Sequence, residues 1–449
     1  MGAPTMWLHR ARLPRWTLGV DTPAEPVEHD LQVAGGRITA VRVHGRDAPP
    51  AEPGAEVIDL RGAVLMPALV EAHAHLDKAY TVHRAPPTGP GLLAAIEATS
   101  ADSTRWTAND LRARARRGLI EARASGALLL RTHLNWWSAE TPLAWSVLGE
   151  LAQDGARDSD LGVELERVNI SPLELFADAG VAARIAGVVA ASTGGVLGVF
   201  VHTHNHRTPA DDAALKNVFR QAAEHGLRID LHADEELNPA ARGVAMAAAL
   251  TLEHGLQGRV ACSHACALAV QDEALALRTL DAVAAARVTL ISLPSTNLLL
   301  QDATLGRTPR LRGLTLVQEA RARGIAVLLG SDNVQDAFSP QGRHDPIGAL
   351  GLACLVGHLN EPLDVASQLV CDRAALGRSD GWAGWLGAPA DLLIALPSPG
   401  AEGDTGAVNR GLAFPSDIGA RIVLRGGRVV AGESDWLTLS ARRAAPVAP

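Results

Sequence analysis

Lysine is almost missing from this chain: of 41 basic residues in 449, only Lys78 and Lys216 are lysines. Arginine stands wherever a positive charge is enough, so a surviving lysine marks a place where a compact ammonium is wanted. Lys216 sits in a solvated helical pattern and needs no such reason. Cysteine is scarce too. Cys262, Cys266, Cys354 and Cys371 form no CxxC pair. Cys262 and Cys266 flank His264, a spacing that hints at zinc, but their apolar, strand-like run favours buried thiols. The first twenty residues hold several arginines and no sustained apolar stretch, so no signal peptide is read there. The chain therefore reads as cytoplasmic and reduced. No apolar run is long enough to span a membrane. A net charge of −8 lacks the basic face that a nucleic-acid partner requires. What remains is a small, soluble partner molecule. No interface signal decides the oligomeric state, which leaves a homo-oligomer open.

A GxGxxG fingerprint after a first strand is also absent, which weighs against a doubly wound dinucleotide-binding sheet. What is present is alternation. Strand-like apolar runs fall at 64–73, 127–135, 162–171, 195–204, 228–234, 259–265, 288–296 and 326–333. Helical patterns lie between them, as at 111–125, 209–225, 239–254, 270–286 and 316–323. Several end in the glycine expected past a helix C-terminus: Gly126, Gly226, Gly255 and Gly324. Eight apolar strands alternating with helices predict an α/β fold, a parallel (β/α)8 barrel of the TIM type. The ends differ. "GGRITAV" from Gly35 and "GGRVVAG" from Gly426 nearly echo each other among short strands and tight turns. They predict one small β-sandwich domain built from both chain ends, residues 1–63 and 386–449, beside a barrel of residues 64–385. The Pro- and Gly-rich stretch 397–406 reads as a loop.

In a barrel enzyme the chemistry sits at the C-terminal ends of the strands. Here those ends carry His73-Ala74-His75, Thr132-His133-Leu134-Asn135, His232-Ala233-Asp234-Glu235, Ser263-His264-Ala265 and Ser331-Asp332-Asn333. Side chains alternate along a strand, so His73 and His75 point the same way. His73, His75, His232 and Asp332 offer three nitrogens and one oxygen, a set suited to one divalent ion, Zn2+ or Fe2+, with a position left for water. Such an ion lowers the pKa of water from 15.7 to about 7. Glu235 can serve as general acid/base without being a ligand. His264 can hold developing charge, and Asp332 can ligate and also pass a proton. Lys78, five residues past His73, is expected to touch substrate. His202, His204 and His206 are expected at the surface or facing substrate. Trp106, Trp136, Trp137 and Trp145 cluster around the second strand, where pocket mouth, subunit contact and core packing are all open.

The ordered set "VEAHAHLDKAYT", "LRTHLN", "IDLHADE", "ACSHACAL" and "ARGIAVLLGSDNVQDAFSP" resembles the amidohydrolase superfamily, and within it the cytosine deaminase branch. The resemblance runs from about Val64 to Pro340. It implies a mononuclear hydrolytic deaminase of a small nitrogen heterocycle or cyclic amidine. It places His73, His75, His232 and Asp332 on the metal, Glu235 as the acid/base and His264 near the attacking water. The fourth strand ends without the lysine that bridges two metals in binuclear relatives. The resemblance also locates departures. Leu173 stands where a glutamine reads the pyrimidine amide, Asn333 where an acid follows the metal aspartate, and Asn135 where aspartate is usual. Losing a hydrogen-bonding side chain from a polar pocket weighs against a substrate that needs it, here cytosine itself. "HLDK" is closer to N-isopropylammelide amidohydrolases. Substrate contacts are therefore expected at Lys78, Leu173 and Asn333. The alternatives are amine release from an aminotriazine, cyclic-amide hydrolysis by the same groups, and a barrel that only binds a ligand.

Overall fold

The computed structural model describes residues 5–19, 27–46, 55–156, 161–202, 208–397 and 418–441. His204, His206 and the stretch 398–406 lie outside the described residues. Leu69–Ala74, Ala127–Asn135, Glu164–Pro172, Ile229–Ala233, Val260–His264, Thr289–Ser292 and Val327–Leu329 form barrel strands, with Gly195–Val196 and Val199–Val201 as the two halves of the fourth. Every neighbouring pair is parallel. The eighth strand returns to the first, where the Asp332 N–H donates to the His73 carbonyl at 2.9 Å. That approach depends on Gly330, whose added Cβ would lie 2.9 Å from the His73 backbone. The expected α/β barrel is thus the fold, and helices run between the strands.

Local rules account for the helix ends. The helix Pro209–His225 opens on a capping box: the Thr208 hydroxyl accepts from Asp211 N–H, and the Asp211 carboxylate accepts from Thr208 N–H. It closes at Gly226 with φ 65°, the left-handed conformation that glycine adopts without steric cost. The helices bury apolar faces such as Leu119, Leu148, Phe219 and Leu280 against the outside of the barrel. The lower barrel is filled by Leu129, Ala261, Ile291 and Leu328, among others.

Three expected strands change on folding. The run 64–73 is two strands. Val64–Pro67 pairs antiparallel with Leu392–Pro397, and the barrel strand starts only at Leu69. Pro67 has no N–H for a ladder, so the chain crosses there from one sheet to the other. The run 288–296 stops at Ser292, because Pro294 opens the helix Pro294–Leu300. The fourth strand breaks at Gly198, where the Asn169 carboxamide bridges its N–H and C=O at 3.0 and 2.9 Å.

The chain ends build a separate eight-stranded sheet with its own core, including Leu8, Leu31, Ile58 and Ile394. Its strands form one hydrogen-bonded sheet, in which Met6–Arg12 pairs with Glu28–Ala34 and Leu392–Pro397 pairs with Ile418–Arg425.

Candidate active site

The first strand carries His73 to its C-terminal end, and His75 follows one residue past it. Their Nε2 atoms lie 3.3 Å apart. Asp332, past the eighth strand, brings Oδ1 to 3.0 Å from His75 Nε2 and 3.6 Å from His73 Nε2. His232, at the end of the fifth strand, has its ring 4.6 Å from that of His73. The ligand atoms of His73, His75 and His232 all fall within 4.8 Å of one another. The site is held under backbone strain: Asp332 (φ 61°), His264 (φ 71°) and Ala265 (φ 50°) occupy the left-handed region. Non-glycine residues rarely adopt that region, and such strain clusters at functional sites.

Whether these residues suit a metal is decided by their other contacts. His73 Nδ1–H donates to Ser263 Oγ at 2.9 Å, because the Ser263 hydroxyl proton is committed to Asp230 Oδ1 at 2.9 Å. His75 Nδ1–H donates to the His133 carbonyl at 3.1 Å. Both rings are therefore locked in the tautomer that aims an Nε2 lone pair at the common point. His232 Nε2 and both Asp332 oxygens make no well-formed hydrogen bond, although all are buried. A buried polar atom without a partner is costly, so a converging set of them fits a cation. Burial first, then the neighbouring imidazoles at His73 and His232 and the Lys78 ammonium at His75, hold all three well below the usual histidine pKa. They are neutral, as ligands must be. The arrangement suits one divalent metal ion. His133 stacks on His73 at 3.7 Å between ring centroids. Its Nε2 lies 3.5 Å from Asp230 Oδ1, so it packs behind His73 together with the Ser263–Asp230 pair.

Glu235 and His264 sit against this centre. Burial pushes the Glu235 carboxyl up to about 7. Burial lowers His264 to about 4, so it is neutral near pH 7. Asn297 Nδ2 lies 3.0 Å from His264 Nδ1; with that amide donating, the ring proton sits on Nε2, which has no partner. A cavity open to solvent at its mouth is lined by His75, His232, Glu235, His264 and Asp332. Lys78, Leu173, Asn333 and Asn135 line the same cavity, with Leu92, Ile96, Phe200, Phe338 and Trp137 as apolar walls. The two lysines separate cleanly. Lys216 is exposed on its helix, whereas Lys78 is buried with its ammonium 4.7 Å from the Phe338 ring centre.

The tryptophans divide as well. Trp136 and Trp145 are core, packed edge to face at 5.3 Å, while half-exposed Trp137 stands at the cavity mouth. Cys262 and Cys266 are buried free thiols raised by burial, in keeping with the apolar reading of their run. His202 is buried, stacks on Phe200 and approaches Glu236 at 3.5 Å. Sequence reasoning missed Asp230, which holds Ser263 behind the first ligand. The signal was there: Asp230 lies two residues before His232 on the same strand, hence on the same face.

A barrel with three histidines and an aspartate converging at its strand ends fits a metal-dependent hydrolase, and the comparisons agree. The sequence profile of the Amidohydrolase family matches residues 56–139 and 117–431. The chain belongs to that family and is a hydrolase of carbon–nitrogen bonds, deaminase in type. It is 35% identical to a pterin deaminase from Rhizobium rhizogenes over 368 residues, 81% of each chain. It is similar to the structure of 5-methylcytosine deaminase from Klebsiella pneumoniae liganded with 5-fluorocytosine, at 25% identity and TM-score 0.76, covering 94% of this chain and 97% of that one. In fold it is also similar to N-isopropylammelide isopropylaminohydrolase from Burkholderia multivorans, at 22% identity and TM-score 0.72, covering 95% and 98%.

Proposed function

We propose that this protein hydrolytically deaminates a flat 2-amino nitrogen heterocycle, with fused pterin-type rings as the first class to test. The relative named a pterin deaminase supports the ring class. The aromatic and aliphatic walls of the cavity suit a flat ring system. His73, His75, His232 and Asp332 would hold one Zn2+ or Fe2+ ion. When bound, such an ion makes a nucleophile available at neutral pH by lowering the pKa of water. Water adds to the ring carbon that bears the amino group, the C–N bond breaks, ammonia leaves and a carbonyl forms.

Each protein group has a part in that sequence. Glu235, poised near 7, takes the proton from the attacking water and delivers it to the departing amine. His264 donates its Nε2–H to the developing negative charge. Asp332 has two oxygens, so one can ligate while the other passes a proton. Lys78 donates to a ring carbonyl. Leu173, where cytosine deaminases carry a glutamine, offers only an apolar surface, which suits a ring other than cytosine. A reducing compartment suits the four buried free thiols.

The observation that carries this reading is the convergence of partnerless Nε2 and Oδ atoms on one point beside Glu235. The test is ammonia release by zinc- and iron-loaded protein from pterin, isocytosine, cytosine, creatinine and aminotriazines. A hit among the 2-amino rings is expected. The Glu235→Gln variant should keep its metal and lose on the order of 10²–10⁴-fold in turnover. Normal turnover by that variant would refute the acid/base assignment, and silence across the panel with metal bound would refute the deaminase reading.

A further inference from the structure

Asn333 lines the cavity, and a carboxamide can face a ligand with either its oxygen or its NH2. Here one contact settles which. Asn333 Nδ2 donates to Asp336 Oδ2 at 2.8 Å. The other Asp336 oxygen accepts from the Phe338 N–H at 2.9 Å and the Ser339 N–H at 3.1 Å. Asp336 is fully buried, and all three of these neighbours use it as an acceptor. One Nδ2–H is thus used by Asp336, which fixes Nδ2 on that side of the amide, and the carboxamide oxygen on the other side takes no hydrogen bond from any described residue. With Nδ2 turned to Asp336, the oxygen is the open acceptor that this amide has left for a ligand. The same turn sets the Phe338 ring, against which the Lys78 ammonium rests at 4.7 Å. The Lys78 ammonium makes no hydrogen bond and no ion pair within 4 Å among the described residues, and the Lys78 backbone carbonyl accepts from the Thr81 hydroxyl. The wall thus offers one cation seeking an acceptor and one oxygen seeking a donor.

We propose that Asp336 is a positioning residue that locks the Asn333 carboxamide with its oxygen toward the cavity, so that the pocket selects rings presenting an N–H there together with a carbonyl for Lys78. The ligand class is a lactam-edged 2-amino heterocycle, with the –NH–C(=O)– edge turned toward Asn333 and Lys78. The inference rests on the heterocycle reading of the site. Asp336 itself does not line the cavity; it acts through Asn333.

The substitution Asp336→Asn tests this sharply. An asparagine there can still accept from the Phe338 and Ser339 N–H groups through Oδ1. Its Nδ2 would then face Asn333, and two NH2 groups cannot bond, so the Asn333 amide should turn and present NH2 to the cavity. The probes are isocytosine, which has a ring N–H beside a carbonyl, and 2-aminopyrimidine, which has only ring lone pairs. Their dissociation constants are compared by calorimetry in zinc-loaded protein carrying Glu235→Gln, so that neither ring is consumed. Isocytosine should bind the parent more tightly. Asp336→Asn should lower that preference on the order of ten-fold or more, with zinc content and melting temperature unchanged. Asn333→Ala should also lower it, and adding Asp336→Asn to Asn333→Ala should change nothing further.

An unchanged preference in Asp336→Asn overturns the proposal. So does a drop that persists in the Asn333→Ala background, which would place the effect on Lys78 or on the fold. Failure of either ring to bind the parent overturns it as well. Failure of the deaminase reading is separate: the Glu235-intact protein would bind both rings and release no ammonia from either.

Discussion

The two ends of the barrel interior are equally buried and oppositely paired. At the base, Arg131 donates to Glu166 at 2.9 Å, to Asp230 at 2.8 Å and to the Leu376 carbonyl at 3.0 Å. Arg228 and Arg378 reach the other Glu166 oxygen at 2.7 and 2.6 Å. Burial alone would raise Glu166, but the three guanidinium groups hold it down at about 2. At the top, His232, His264 and Asp332 are as inaccessible, yet their cavity-facing atoms have no partner. Burial therefore does not separate structural from functional polar groups here. What sets the top apart is convergence: its open atoms meet near one point, whereas open atoms elsewhere, such as Trp7 Nε1, Trp136 Nε1 and His344 Nε2, are scattered. Ser263 and Asp230 join the two ends, since Asp230 binds Arg131 below and the Ser263 hydroxyl behind His73 above.

The largest effect comes from breaking the top. His232→Ala removes one orphaned nitrogen and no internal hydrogen bond of its Nε2. Metal content should fall well below one per chain and activity should drop by about 10⁴-fold or more, because the nucleophile depends on the ion. The metal-free variant should melt close to the metal-free parent protein. Elemental analysis, ammonia release and calorimetry read these together. A variant that keeps full metal occupancy would remove His232 from the ligand set.

Breaking the base should do the reverse. Arg131→Met leaves Glu166 with two partners but strips the Asp230 carboxylate of its arginine, and removing one member of a buried ion network costs about 3–5 kcal/mol. Denaturant unfolding should record that loss in the metal-free protein. Metal affinity should fall less, through Asp230 and Ser263 only. A melting curve like that of the parent would mean that the base network is not structural.

How much of this was legible follows from how far each signal reaches along the chain. The strands and their terminal HxH, HxDE and SDN groups are local patterns with a period of two, and the structure brings His73, His75, His232, Asp332, Glu235 and His264 to one point. The strand at 288–296 was drawn too long because apolar character hid a helix start that Pro294 signalled. Tautomers and amide directions were not legible at all. They depend on Ser263 meeting His73 across 190 residues and Asn297 meeting His264 across 33. A side chain's partner from another strand leaves no trace in its own segment.

The last comparison applies one kind of substitution at both ends. Lys78→Met, like Arg131→Met, replaces a buried cation with an unbranched apolar chain. The Lys78 ammonium has no hydrogen bond to lose, and a methionine can pack against the Phe338 ring over which the ammonium lies. Stability should therefore change by less than about 1 kcal/mol, against the several lost at Arg131. The loss should fall on the ligand instead. A carbonyl-bearing ring gives up a charge-assisted hydrogen bond, so its affinity should weaken about ten- to hundred-fold, while a ring without a carbonyl binds as before. Paired unfolding and binding measurements on the two methionine variants decide the matter. A strongly destabilised Lys78→Met would place Lys78 with the structural charges of the base and withdraw it from the substrate.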